Sequence, residues 1–305
     1  MPALNAPLGA LPMRFRRQRV LIVGCGDVGV RAAAALPQRV RVLALTSSPQ
    51  RHAALRARGI TPLAGDLDEA STLQRLAGLA HRVLHLAPPP GEGHDDPRTR
   101  VLLRTLRRRR TPDAIVYGST SGVYGDCGGA WIDETRPTRP TTSRAQRRVA
   151  AEQALRLFGL STRVRCSILR IPGIYAPDRE GGTPRERLLR GTPVLRASDD
   201  VYTNHIHADD LARACVATLW RGAAQRVYHA SDDTELPMGD YFDLAADLYR
   251  LPRPPRVSRE QARQQLGPVL LSFMSESRRL HNERLKRELR LTLRYPTVAS
   301  GLRGR

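Results

Sequence analysis

Three glycines are the first residues whose spacing implies chemistry. Gly24, Gly26 and Gly29 stand as G-x-G-x-x-G directly after the apolar run Arg19-Val20-Leu21-Ile22-Val23. A strand entering such a turn and then a helix is the arrangement that cradles a pyrophosphate. Gly24 permits the tight turn, Gly26 lets the backbone approach the phosphates, and Gly29 allows close helix–strand packing. Asp27 and Val28 begin the helix, read from Val28 to Leu36, whose unpaired N–H groups would face the phosphates. A second strand over Val40 to Leu45 completes the βαβ unit, and its end chooses the cofactor. An acid there would hold the ribose 2′-hydroxyl of NAD and repel a 2′-phosphate. The segment Thr46-Ser47-Ser48-Pro49-Gln50-Arg51 has no acid. Hydroxyls beside a forked guanidinium suit a phosphate monoester. Ser47 and Arg51 are therefore expected at that phosphate, with NADP(H) favoured over NAD(H).

Proton transfer is less legible. The chain contains a single lysine, Lys286, so it holds no Tyr-x-x-x-Lys pair. His205, His207 and Asp209 alternate, so an extended segment would put them on one face, as a metal site requires. In the competing reading Asp209 or Asp210 caps the helix through Leu211, Val216 and Leu219, while the histidines line the substrate side. That reading explains more residues, and no metal is expected. Cys25, Cys127, Cys166 and Cys215 form no C-x-x-C and read as reduced thiols of a cytoplasmic protein.

The elements that must position these residues alternate along the chain. Further strands are expected at Ile60 to Ala64, Arg82 to Leu86, Ala114 to Tyr117 and Arg163 to Arg170. Helical stretches are expected near Glu69 to Leu76, Asp96 to Arg110 and Ser143 to Phe158. Strands separated by helices predict an α/β fold with a doubly wound parallel sheet, its ligands outside the carboxyl ends of the strands. Residues 1–18 read as a flexible tail, with Met13 an alternative start, and 19–175 as the dinucleotide-binding domain. Residues 176–305 read mainly as a smaller substrate lobe, from which a strand near 226–230 can rejoin the sheet.

Composition limits the partners. The formal net charge is +21 over 305 residues, almost all of the cation excess being arginine. That skew reads as mutational bias, and no helix-turn-helix, zinc spacing or RNA-binding aromatic motif accompanies it. Specific nucleic-acid recognition is not expected, whereas a field attracting anionic substrates is. No apolar run is long enough to span a membrane.

Several strings in order resemble the extended short-chain dehydrogenase/reductase family, the NAD-dependent epimerase/dehydratase group, from about Val20 to Leu302. They are Gly65-Asp66-Leu67, Ala87-Pro88-Pro89, Ser119-Thr120-Ser121-Gly122-Val123-Tyr124-Gly125, Leu169 to Pro177, and Asn204-His205-Ile206-His207-Ala208-Asp209-Asp210-Leu211. The resemblance implies a Rossmann fold, with Asp66 and Leu67 at the adenine and Ala87 and Pro88 lining the cofactor. It places Pro172 beside the nicotinamide, and Asn204 and His207 on the substrate side. Thr120 matches the hydroxyl that orients a substrate carbonyl.

The family's tyrosine and lysine positions, counted back from Ala151-Glu152, fall on Arg144 and Arg148. Arg148 can still hold the cofactor ribose, and Arg144 faces substrate, but a guanidinium exchanges no proton near neutrality. Tyr124 is the nearest phenol in sequence, with structural packing as its other reading. Tyr175 precedes Arg179 by four but lies beyond the sixth strand. The implied function is an NAD(P)-dependent oxidoreductase or epimerase/dehydratase-like enzyme of the atypical kind, acting on a small polar or anionic substrate. The alternative is a non-catalytic NADP(H)-binding sensor or regulatory protein. Family members pair through the helices here ending near Arg110 and spanning Ser143 to Phe158, which implies a possible homodimer.

Overall fold

The computed structural model describes residues 17–303. The expectations for the tail and for Met13 therefore lie outside the described residues, apart from Arg17 and Gln18. In chain order the strands that matter are β1 Arg19–Val23, β2 Arg41–Thr46, β3 Thr61–Ala64, β4 Arg82–His85, β5 Ala114–Thr120, β6 Arg165–Ile171, β7 Gly173–Tyr175, β8 His205–His207 and β9 Arg226–His229. Seven of them form one sheet in the order β9-β6-β5-β4-β1-β2-β3. Every pairing in it is parallel. β7 and β8 pair with each other, also in parallel, beyond the end of β6.

The central strand explains the layering. Val20, Leu21, Ile22 and Val23 are all buried, as expected of a parallel strand covered on both faces. Because side chains alternate across a strand, Val20 and Ile22 join one apolar cluster and Leu21 and Val23 another. The helices are α1 Asp27–Ala35, α2 Pro97–Arg107, α3 Ser143–Thr162, α4 Arg185–Leu189, α5 Ala208–Arg221 and α6 Met238–Tyr249. α1 packs on α5 over the first cluster, and α2 packs on α3 over the second. Thus α5 and β9 complete the sheet layers although they follow Tyr175 in sequence. A third cluster, including Leu188, Val194, Phe242 and Ala246, fills the smaller lobe.

Element ends differ from expectation for local reasons. Asp96 stays outside α2 as its cap, accepting from Thr99 N at 3.1 Å, and the helix ends at Arg107. The segment near Glu69 to Leu76 is a 3-10 helix, Ala70–Leu76. α3 continues to Thr162, where the Ser161 and Thr162 hydroxyls donate back to Phe158 O. Arg163 then takes a left-handed φ of 61° that ends the helix, so β6 begins only at Arg165.

Candidate functional site

At the first turn, Gly24 has φ +82°, and a Cβ there would collide with the backbone of Ala87. Ala87 is fixed in turn by its N–H donating to Val23 O at 2.9 Å. Gly26 differs. Its φ of −76° suits any residue, but a Cβ on it would meet nothing within 4 Å. Gly26 is also the N-cap of α1 and offers no side-chain cap, so no side chain at that position covers the helix's first N–H groups. An open backbone face at a helix N-terminus fits a dinucleotide pyrophosphate. Gly29 packs its Cα side against Gly24 O and Ile22, as close helix–strand contact requires.

Asp27 and Val28 follow in the first turn of α1, and Asp27 pairs with Arg31 at 3.0 Å. At the end of β2, Ser47 is exposed, and Arg51 reaches back to donate to Cys25 O at 2.6 Å. Its guanidinium therefore lies beside the glycine turn. Asp66 follows β3, its N–H donating to Thr72 Oγ1 at 2.9 Å and its Oδ1 accepting from Asp68 N at 3.0 Å. Leu67 packs on the second core cluster, and Pro88 stands exposed after β4. These residues follow the carboxyl ends of adjacent strands.

Beyond them opens a cavity of about 570 Å³ between the sheet end and the smaller lobe. Thr120, Arg144, Arg148 and Pro172 line the sheet side, and Asn204, His205 and Arg187 are among the lobe residues. Thr120 Oγ1 accepts from Gly122 N at 3.2 Å, which leaves its own hydroxyl proton to donate. Arg144 and Arg148 stand four apart on α3 and so share a helix face. Arg148 donates to Gly118 O at 2.7 Å and Tyr117 OH at 3.1 Å, while exposed Arg144 lies 4.9 Å over the Phe273 ring. Lys286 is far from this chemistry in role, paired with Asp233 at 2.6 Å. Asn204 reaches the cavity with its amide already committed to Arg278 O and Leu280 N.

Two expected site residues belong elsewhere. Tyr124 is buried and does not line the cavity; its phenol meets His229 Nε2 at 2.5 Å. Burial pushes that phenol up to about 12, against the opposing charge of Arg170. The packing reading of Tyr124 is the one its geometry supports. His207 is also buried outside the cavity, stacked 3.8 Å from the Tyr295 ring. It caps α5, its Nδ1 accepting from Asp209 N at 3.2 Å, so neither Asp209 nor Asp210 is the cap. Asp209 instead pairs with Arg31 at 2.6 Å, and buried Asp210 accepts from Arg294 N and Tyr295 N. Among the described residues no group of three or more His, Cys, Asp or Glu is gathered to hold a metal.

Sequence reasoning missed the polar network behind Thr120. Ser119 donates to Glu152 at 2.6 Å, and Glu152 receives Arg170 through two bonds of 3.1 and 2.7 Å. Arg170 also lies 4.6 Å over the Tyr124 ring. The only signal was Glu152 as the one acid in α3 and Arg170 following the apolar run of β6.

Comparison with known proteins agrees with this fold. Residues 20–230, more than half of the chain, match the NAD dependent epimerase/dehydratase family. The chain belongs to that family. This epimerase/dehydratase-family chain is 25% identical over 191 residues to UDP-glucuronate 4-epimerase 1 of Arabidopsis thaliana, covering 55% of itself and 44% of the relative. It spans about half the length of the curated relatives it matches. A solved protein of unknown function from Silicibacter pomeroyi is 30% identical, with a TM-score of 0.78 over 94% of this chain and 97% of that one. UDP-glucuronic acid 4-epimerase from Bacillus cereus, solved in complex with NAD, shares the fold at 15% identity. Its TM-score is 0.74, over 94% of this chain and 96% of that one.

Proposed function

We propose that the chain binds a nicotinamide dinucleotide across the glycine turn and acts as an oxidoreductase or epimerase/dehydratase-type enzyme on a small polar or anionic, sugar-nucleotide-like substrate. The observation that carries this reading is the Thr120 hydroxyl at the end of β5, with a proton to donate into a cavity it shares with Arg144 and Arg148. A bound nicotinamide dinucleotide supplies hydride transfer. Thr120 orients and polarises a substrate carbonyl and, with water, stands in for the absent phenol. Arg148 holds the cofactor ribose from α3, Pro172 borders the nicotinamide side, and Arg144 faces the substrate as a cation. Asn204 fixes the lobe wall. Gly24, Gly26, Asp27, Val28 and Gly29 seat the pyrophosphate, and Asp66, Leu67, Ala87 and Pro88 border the adenosine half. Ser47 and Arg51 favour the 2′-phosphate of NADP(H), because no acid stands at the end of β2 to repel it.

Arginine at position 144 favours one other reading, a non-catalytic NADP(H)-binding sensor, since a guanidinium cannot donate the proton a phenol would. Single-turnover oxidation of NADPH by keto-sugar and carbonyl substrates, together with isomerisation or dehydration of sugar nucleotides with NADP+ bound, separates the two. The enzyme reading expects slow turnover that falls further in Thr120→Val. Tight NADPH binding with no turnover on any substrate supports the sensor, and no dinucleotide binding at all removes both.

A further inference from the structure

One loop of the smaller lobe is fastened to the helix that follows the glycine turn. Residues 176–182 leave β7 and fold back on themselves. Ala176 N donates to Gly182 O at 3.0 Å, Gly182 N to Arg179 O at 2.9 Å, and Arg179 N to Ala176 O at 3.2 Å. Gly182 is buried against this turn, where a Cβ would collide with Ala176 O and with Arg179. A short loop with joined ends is compact, so it can move as one body on the residues that flank it.

The tip of the loop reaches out of its own lobe. Asp178 accepts from Arg31 at 2.8 Å, and Arg179 lies 3.4 Å from Asp27. Both partners stand on α1, Asp27 in its first turn and Arg31 one turn later. Arg31 also holds Asp27 at 3.0 Å and Asp209 of α5 at 2.6 Å. Two guanidiniums and three carboxylates thus form one network. Asp178 is 70% exposed, and an isolated pair so exposed would hold little. Arg31 is only 16% exposed and is fixed by all three acids, which gives the pairs the strength of a network.

The place of the loop gives these pairs a consequence. On one side its tip meets the first turn of α1, the end that the glycine turn presents to a pyrophosphate. On the other side Gly181 and Gly182, with Thr183 and Pro184 after them, wall the cavity. The side-chain ties from the tip to α1 are ionic, whereas Arg179 also donates to Ile174 O at 3.1 Å, at the root of the loop itself. Releasing the ion pairs therefore frees the tip and leaves the loop's own fold intact.

We propose that residues 176–182 are a flap beside the dinucleotide, held shut by their ion pairs to α1, and that the cofactor enters and leaves when those pairs release. The inference rests on the glycine turn being the dinucleotide site. It joins the two ends of the crevice, because the movement that frees α1 also withdraws the Gly181–Gly182 wall from the cavity.

The test uses the full chain with Asp178→Asn, which removes one charge from an exposed side chain. Arg179→Gln releases Asp27 and is a second variant of the same kind. Glu180→Gln, at the neighbouring exposed acid, is the control. Hydrogen exchange across residues 173–184 is followed without ligand, and NADPH release is followed by stopped-flow fluorescence at low and high sodium chloride. We expect both variants to speed exchange across the segment and to release NADPH about fivefold faster at low salt. The parent should approach them as salt screens the pairs, and Glu180→Gln should behave as the parent. Exchange that is unchanged in Asp178→Asn overturns the fastening, and faster exchange with unchanged NADPH release overturns the gate. A parent chain that binds no NADPH removes the dinucleotide reading and the gate with it, an outcome distinct from binding with unaltered release.

Discussion

If the chain prefers NADP(H), as we propose, Arg51 is the residue on which that choice turns. Its bond to Cys25 O holds it beside the glycine turn, where a 2′-phosphate can exchange for the carbonyl. A hydrogen bond to a charged group contributes about 1.5–3 kcal/mol, so Arg51→Ala should weaken NADPH roughly tenfold or more and leave NADH almost unchanged. Calorimetric titration of both cofactors checks this, and a parent chain that binds them equally removes the argument. Gly26 makes a complementary prediction. Its missing Cβ faces open space, so Gly26→Val should keep the fold, seen by an unchanged melting transition, and abolish dinucleotide binding. At the reacting end, Thr120→Val removes a hydroxyl proton from the cavity, whereas Arg144→Ala removes a group that is no acid. Single-turnover rates should fall more in the first. A fast parent that collapses on Arg144→Ala would move the reacting centre to α3.

At the scale of elements, one buried ion pair ties α3 to β5 and β6. Glu152 receives Ser119 and Arg170, both on strands, so the helix carrying Arg144 and Arg148 is locked against the strand carrying Thr120. Removing one partner of a buried pair leaves the other charge uncompensated and costs about 3–5 kcal/mol. Glu152→Ala should therefore destabilise the chain by that amount in urea unfolding, while a surface change such as Glu180→Ala has almost no effect. A loss below about 1 kcal/mol would show that the helix is held by packing alone. The Ala151-Glu152 string was readable as sequence, but its partner on β6 was not, since pairing across layers leaves no local pattern. The same holds for Tyr124, whose phenol is claimed by His229, 105 positions away.

For the whole molecule, buried titratable groups set the pH response. Burial depresses His85 to about 3, His205 to about 4 and His229 to about 3, all below the ordinary histidine value. Their neutral folded forms favour folding fully above about pH 6.5, and stability is lost as pH falls toward their folded values. Buried Asp232 acts oppositely. Raised to about 7, it binds a proton in the folded state that the unfolded chain has released, so stability falls as pH rises between about 4 and 7. Three groups outweigh one, and these four together take up roughly two protons on unfolding near pH 5. Denaturant melts should show stability falling from about pH 6.5 to about 4.5, and a flat profile would contradict the buried histidines. The apolar groove between α2 and α3, with Leu103, Leu157 and Phe158, is walled by Arg100, Arg104 and Arg107. If two chains pair there, as the family resemblance implies, like charges meet, and sedimentation should show association strengthening with salt.

What the sequence determined by itself was whatever depends on near neighbours. Strand and helix periodicity, the G-x-G-x-x-G turn and the acid-free end of β2 are written in short stretches, and those stretches were sufficient to predict a parallel sheet with its ligands at the carboxyl ends. The positions of Arg144 and Arg148 were likewise legible, because α3 fixes them four residues apart on one face. Tertiary structure decided which side chains actually reach the cavity. His205 and His207 alternate in sequence, yet one lines the cavity while the other turns to cap α5 and stack on Tyr295. Arg187 resembles every other arginine in the chain until packing places it over Phe242, with no carboxylate among the described residues to pair it. The physical reason is common to both cases. A polar group's role depends on which partners remain to satisfy it, and burial brings together partners that sequence order keeps far apart.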